Sequence, residues 1–116
     1  MKATDLPNYR AVNNKEDLRA FQARLTGFTG AVAFDVESTG LEQWKEDFSL
    51  TMMQFTFEGG DSWEIPLDLD DSPFQKSWRQ VAKWTAQQLK KNNTRLVAHN
   101  AAYDLCAMFA VTGVDL

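Results

Sequence analysis

A single cysteine, Cys106, leaves this chain no second thiol with which to close an internal disulfide, so no covalent framework holds the fold. No apolar run approaches the ~20 residues that a membrane-spanning helix needs. The opening MKATDLPNYR also lacks the apolar stretch that a secretory signal carries behind its basic end. These absences suggest a protein of the reducing cytoplasm with no membrane partner. Basic residues are outnumbered as well: 12 lysines and arginines stand against 16 acids, for a net charge of −4. That sign disfavours tight, sequence-blind binding to a phosphate backbone. It leaves room for a nucleic-acid site in which local carboxylates hold divalent cations and so reverse the field toward phosphate. Internal repeats and sustained heptads are missing, which excludes solenoids and coiled coils. The 116 residues, 44% of them hydrophobic, suit one domain with its own core, spanning residues 1–116.

Hydrophobic periodicity divides the chain into short elements. Tyr9 to Val12 reads as an edge strand, after which Asn14 is placed to cap a helix that carries Leu18, Phe21 and Leu25 and ends by Gly27. Ala31 to Glu37 alternates as a strand does, with Val32, Phe34 and Val36 on one face and Ala33, Asp35 and Glu37 on the other. Phe48 to Phe57 and Trp63 to Pro66 form a hairpin across Glu58-Gly59-Gly60-Asp61. Ser72 then caps a helix with Pro73 at its first position, an apolar stripe from Phe74 to Leu89, and Lys90 and Lys91 in the last turn. Arg95 to Ala98 is a short strand, and Ala101 to Thr112 a mostly apolar helix stopped by Gly113. A hairpin combined with helix-linked strands predicts a mixed sheet in an α/β domain. Right-handed crossovers put the strands at 31 and 95 side by side and parallel.

Two segments then stand out. In AVAFDVESTGL, Asp35 and Glu37 share one strand face with their Cα atoms about 7 Å apart, close enough for both carboxylates to reach one divalent ion. In HNAAYDL, Asn100 and Asp104 are four residues apart and so share one helical face. Asp104 sits among apolar neighbours, where an unpaired carboxylate is costly; a metal, a cation or a donor is expected beside it. The plainer alternative is that Asp104 only caps the helix or meets solvent at its first turn. Asp-x-Glu alone is a common coincidence. Its place at the end of an apolar strand, before the polar turn Ser38-Thr39-Gly40-Leu41, makes it informative.

Together the segments resemble the DEDD superfamily of 3′-5′ exonucleases, in particular the proofreading domain of bacterial and phage DNA polymerases of the polymerase I type. Asp35, Glu37, Ser38, Thr39 and Leu41 match the first motif of that family, and Asn100, Tyr103 and Asp104 match the second. The resemblance implies an RNase H-like mixed sheet with flanking helices. It also implies a two-metal site for Mg²⁺ or Mn²⁺ on Asp35, Glu37 and Asp104, hydrolysing phosphodiesters at single-stranded DNA 3′ ends. Ser38, Thr39, Leu41, Asn100 and Tyr103 would hold the terminal nucleotide, with Leu41 wedged against its base.

The family's third motif, a Tyr or His followed four residues later by a fourth acid, has no match. Asp115 has Val111 four residues before it. Three ligands and no general base therefore lead to the expectation of a C-terminally incomplete domain, inactive or weak alone. A polymerase domain or a separate chain would supply the missing motif, and apolar surface would be left exposed. The alternative is a noncatalytic relic that binds a nucleic-acid end or another protein.

The remaining tempting residues have ordinary readings. His99 is expected to be structural, and Asp68, Asp70 and Asp71 to line a solvated loop and helix start rather than a calcium loop. Trp78 belongs on the core stripe and Trp84 at its border, while Trp44, just after the turn, is the candidate DNA contact. Cys106 is expected to be a small buried apolar residue.

Overall fold

The computed structural model describes residues 8–40, 42–98 and 100–116. Strand β1 (Tyr9–Ala11) leads to helix α1 (Lys15–Leu25), strand β2 (Val32–Ser38), the hairpin of β3 (Leu50–Phe57) and β4 (Ser62–Pro66), helix α2 (Trp78–Asn92), strand β5 (Leu96–Ala98) and helix α3 (Ala101–Thr112). The five strands form one mixed sheet in the order β1-β4-β3-β2-β5. Only β3 runs against the other four, because it pairs antiparallel with both β2 and β4, while β1 is parallel to β4 and β5 to β2. The expected parallel pair of β2 and β5 is present, with Val32 opposite Leu96 and Phe34 opposite Ala98.

Local chemistry accounts for most of the element ends. Asn14 accepts from the Asp17 amide at 2.8 Å, and Asp17 accepts in return from the Asn13 amide at 3.0 Å, so two donors at the start of α1 are satisfied reciprocally. The hairpin turns at Gly59 and Gly60, whose φ values of 118° and 102° are open to glycine and costly for other residues. Gly113, with φ of 73°, closes α3 by donating to the Phe109 carbonyl at 2.8 Å.

One boundary differs from the sequence reading. Helix α2 begins at Trp78, after a single 3₁₀ turn at Gln75–Ser77, and not at Pro73. The Ser72 hydroxyl donates to the Pro66 carbonyl at 3.0 Å and accepts from the Phe74 amide at 3.1 Å. It closes a tight turn that drops Phe74 into the core, and the α-helix starts only once that ring is seated.

The core lies between one face of the sheet and the helices. Phe21 of α1 meets Phe55, Trp63 and Phe57 at ring-centroid distances of 5.3, 5.8 and 6.3 Å. Trp78, Val81, Ala82, Thr85, Ala86 and Leu89 form the buried stripe of α2. Alternation along β2 buries Val32, Phe34 and Val36 and leaves Ala33, Asp35 and Glu37 exposed. At the hairpin end of the sheet, Arg24 lies over the rings of Phe28 and Phe57 at 4.7 and 4.6 Å and donates twice to Asp61, at 2.8 and 2.9 Å. Asp61 also accepts from the Trp63 indole at 2.7 Å. The paired guanidinium holds the Asp61 carboxyl down at about 2.

Candidate active site

The carboxyl ends of β2 and β5 lie side by side, and α3 starts immediately beyond β5. Open sheets place ligand-binding groups at such ends. Here β2 delivers Asp35 and Glu37 outward, while Val36 between them faces the core. Asp104, in the first turn of α3, is fully buried. Its Oδ1 accepts the Val36 amide at 3.3 Å, and its Oδ2 has no hydrogen-bond partner among the described residues. Burial pushes the Asp104 carboxyl above the usual carboxylate range, and the negative charge of nearby Asp35 pushes the same way; the Val36 amide opposes both. Asp104 therefore does not meet solvent. An unpartnered buried oxygen beside a second carboxylate calls for a proton or a cation between them.

A second set of groups surrounds the turn after β2. The Ser38 hydroxyl donates to the Gly40 carbonyl at 2.6 Å and accepts from the Tyr103 hydroxyl, whose oxygen also lies 3.2 Å from that carbonyl. On the other side, Thr39 accepts from the Ser49 amide through its hydroxyl at 3.1 Å and donates its own amide to the Ser49 carbonyl at 3.0 Å. The turn is thus tied to α3 by Tyr103 and to the approach to β3 by Thr39. Beside it lies a cavity of about 500 Å³ lined by Glu37, Ser38, Gly40, Thr51, Asn100 and Tyr103. Asn100 is the residue before α3, yet its side chain makes no capping hydrogen bond and stays exposed.

The structure therefore gathers Asp35 with Asp104, and separately gathers Glu37, Ser38, Asn100 and Tyr103. Among the described residues no three His, Cys, Asp or Glu side chains converge as a metal-holding group. Leu41 and His99 lie outside the described residues. Sequence reasoning did not find Thr51, whose place depends on an irregularity in strand pairing, nor Gln43, which donates to the Tyr103 carbonyl at 3.3 Å.

Trp44 is 79% exposed, and it borders a groove of about 860 Å³ with Phe48, Arg79, Leu105 and Phe109. Trp78 is core and Trp84 packs at its margin, as their helical positions predict. Cys106 is exposed, contrary to the expectation of burial, because α3 turns Ala107 and Met108 inward and leaves the thiol on its outer side. Val97 and Phe109 are 50% and 53% exposed.

A family model described as 3′-5′ exonuclease matches residues 9–116. The DNA polymerase of Mycobacterium phage L5 is 26% identical over 112 residues, covering 97% of this chain and 17% of the polymerase. That of Mycobacterium phage D29 is 27% identical over the same length, again at 97% and 17% coverage. The chain thus spans about a sixth of the length of these relatives. Among solved structures, the catalytic core of RRP6 from Trypanosoma brucei superposes with a TM-score of 0.67 at 20% identity, covering 100% of this chain and 30% of that one. At that identity the likeness concerns the fold.

Proposed function

Since this chain belongs to the 3′-5′ exonuclease family whose model spans residues 9–116, we propose that it forms the metal-binding half of a proofreading-type site acting on single-stranded DNA 3′ ends. The observation that carries this reading is the buried, unpartnered Oδ2 of Asp104 beside Asp35. The donors on offer are carboxylate oxygens, which suit a hard divalent cation such as Mg²⁺ or Mn²⁺. Asp35 and Asp104 would hold that ion, with Glu37 drawn in from the adjoining cavity. When bound, the ion supplies Lewis acidity for activating water and stabilising the leaving oxygen.

The chain's own residues do the rest. Asn100, exposed and without a capping bond, would bind the terminal nucleotide. Ser38 and Thr39 present the turn backbone to its sugar and phosphate, Tyr103 fixes that turn, and Leu41 would contact the base. A Tyr or His with a further acid, from a polymerase domain or a separate chain, would complete the site.

A second reading is a noncatalytic domain that binds a DNA end or a protein. It is favoured by the absence, among the described residues, of any three converging metal-ligand side chains. Titration calorimetry with Mn²⁺ separates the two when combined with a 3′-labelled single strand. Heat that disappears in Asp35→Ala, with stepwise release of nucleotides that disappears in Asp104→Ala, is the expected result for the nuclease. Equal heats in wild type and Asp35→Ala would overturn the metal site, and retained DNA binding without release would favour the second reading.

A further inference from the structure

Strand β3 changes its facing beside Glu37. Met53, Phe55 and Phe57 are buried at alternate positions, and pairing with β2 runs Glu37 to Met52 and then Ser38 to Leu50. Thr51 is the extra residue of a β-bulge. Unbroken alternation would turn Thr51 toward the core and Leu50 toward the open face. With the bulge, Leu50 is fully buried and Thr51, half-buried, lines the 500 Å³ cavity with Glu37, Ser38, Asn100 and Tyr103. Bulges next to functional sites commonly re-aim a side chain in this way.

The mounting is rigid. The Thr51 carbonyl accepts the Leu67 amide at 2.9 Å, and the Leu50 carbonyl accepts the Asp68 amide at 3.0 Å. The Thr51 hydroxyl takes part in none of the side-chain hydrogen bonds among the described residues, whereas the neighbouring Ser38, Thr39 and Tyr103 hydroxyls all do. A hydroxyl both donates and accepts, and one fixed on a strand is better placed for recognition than one on a loop.

Resting on the exonuclease reading above, we infer that Thr51 is a further substrate-binding residue, whose hydroxyl hydrogen-bonds a sugar-phosphate oxygen of the 3′-terminal nucleotide. Thr51→Val keeps the β-branched shape and removes the hydroxyl, while Thr51→Ser keeps the hydroxyl. The probe is a short single-stranded DNA labelled at its 5′ end, followed by fluorescence anisotropy with Ca²⁺ present, alongside thermal unfolding of each variant. The expected result is a loss of affinity of about threefold to tenfold in Thr51→Val, the worth of one neutral hydrogen bond, with near wild-type binding in Thr51→Ser and unchanged melting. A closed circular single strand is expected to compete poorly.

Equal binding by wild type and Thr51→Val overturns the inference and leaves the exonuclease reading intact. So does equal weakening in both variants with lowered melting, which marks a purely structural role. Full competition by the circular strand overturns the placement at a 3′ end. No binding by the wild type overturns the inference together with the reading on which it rests.

Discussion

Val36 and Asp104 are joined by a hydrogen bond from the strand amide to the helix carboxylate, 3.3 Å long. Through it a core residue of β2 grips the first turn of α3, while the residues on either side of Val36 present their acids outward. The sheet and the helix are thereby fixed against each other at the point where the proposed chemistry needs two carboxylates in register.

Asp104→Asn tests the electrostatics of that contact. Burial, with Asp35 nearby, raises the folded carboxyl above its unfolded value, so the folded chain holds the proton more tightly than the unfolded chain. Without metal, this contribution to stability is greatest below about pH 4 and declines as pH rises through the folded value. Melting temperatures measured in chelator are expected to fall less steeply with rising pH in Asp104→Asn than in wild type. Added Mn²⁺ is expected to raise the melting temperature of the wild type alone. Parallel pH profiles in the two proteins would refute the first expectation.

The Arg24–Asp61 pair predicts the opposite slope at lower pH. Asp61 is held at about 2, so its stabilising contribution is present above the unfolded carboxylate value and is lost as pH falls through about 2. Asp61→Asn is expected to be less stable than wild type at neutral pH, with the difference narrowing between about pH 4 and pH 2. Urea unfolding across that range measures the gap, and a gap that stays constant would count against the assignment.

Tyr103→Phe removes the hydroxyl that ties α3 to Ser38 and Gly40. The expected cost is about 0.5–1.5 kcal/mol, the net worth of such a bond. Amide hydrogen exchange is expected to speed up at residues 39 and 40 while the amides of β2 keep their protection. Uniform acceleration across β2 would show a general loss of packing instead.

Phe21→Ala empties the centre of the aromatic cluster formed with Phe55, Phe57 and Trp63. A loss of about 3–5 kcal/mol is expected from denaturant titration. A loss below about 1 kcal/mol would mean that the surrounding rings close over the gap.

Periodicity and capping made most of the fold legible beforehand. The alternation from Val32 to Glu37, the Asn14 cap and the Gly113 stop each express a local preference that packing did not override. The late start of α2 was not legible, because it depends on Ser72 reaching back to the Pro66 carbonyl and on Phe74 finding a place in the core. Exposure of Cys106 depended in the same way on the rotation of α3, which an almost uniformly apolar helix leaves unmarked. In the site, Asp35 and Asp104 could be paired from the motifs. Thr51 could not, since a bulge is a property of two strands together and leaves no periodic signal in one of them.

The Arg24, Asp61 and Trp63 lock sits where β2 begins and β3 ends, whereas Glu37 and Thr51 sit toward the far ends of the same two strands, roughly 16–20 Å away at about 3.3 Å per residue. Folding strength and chemistry are therefore lodged at opposite poles of one hairpinned ribbon. On the exonuclease reading proposed above, variants of the acidic pole are expected to keep their shape and to hold a DNA end without cutting it.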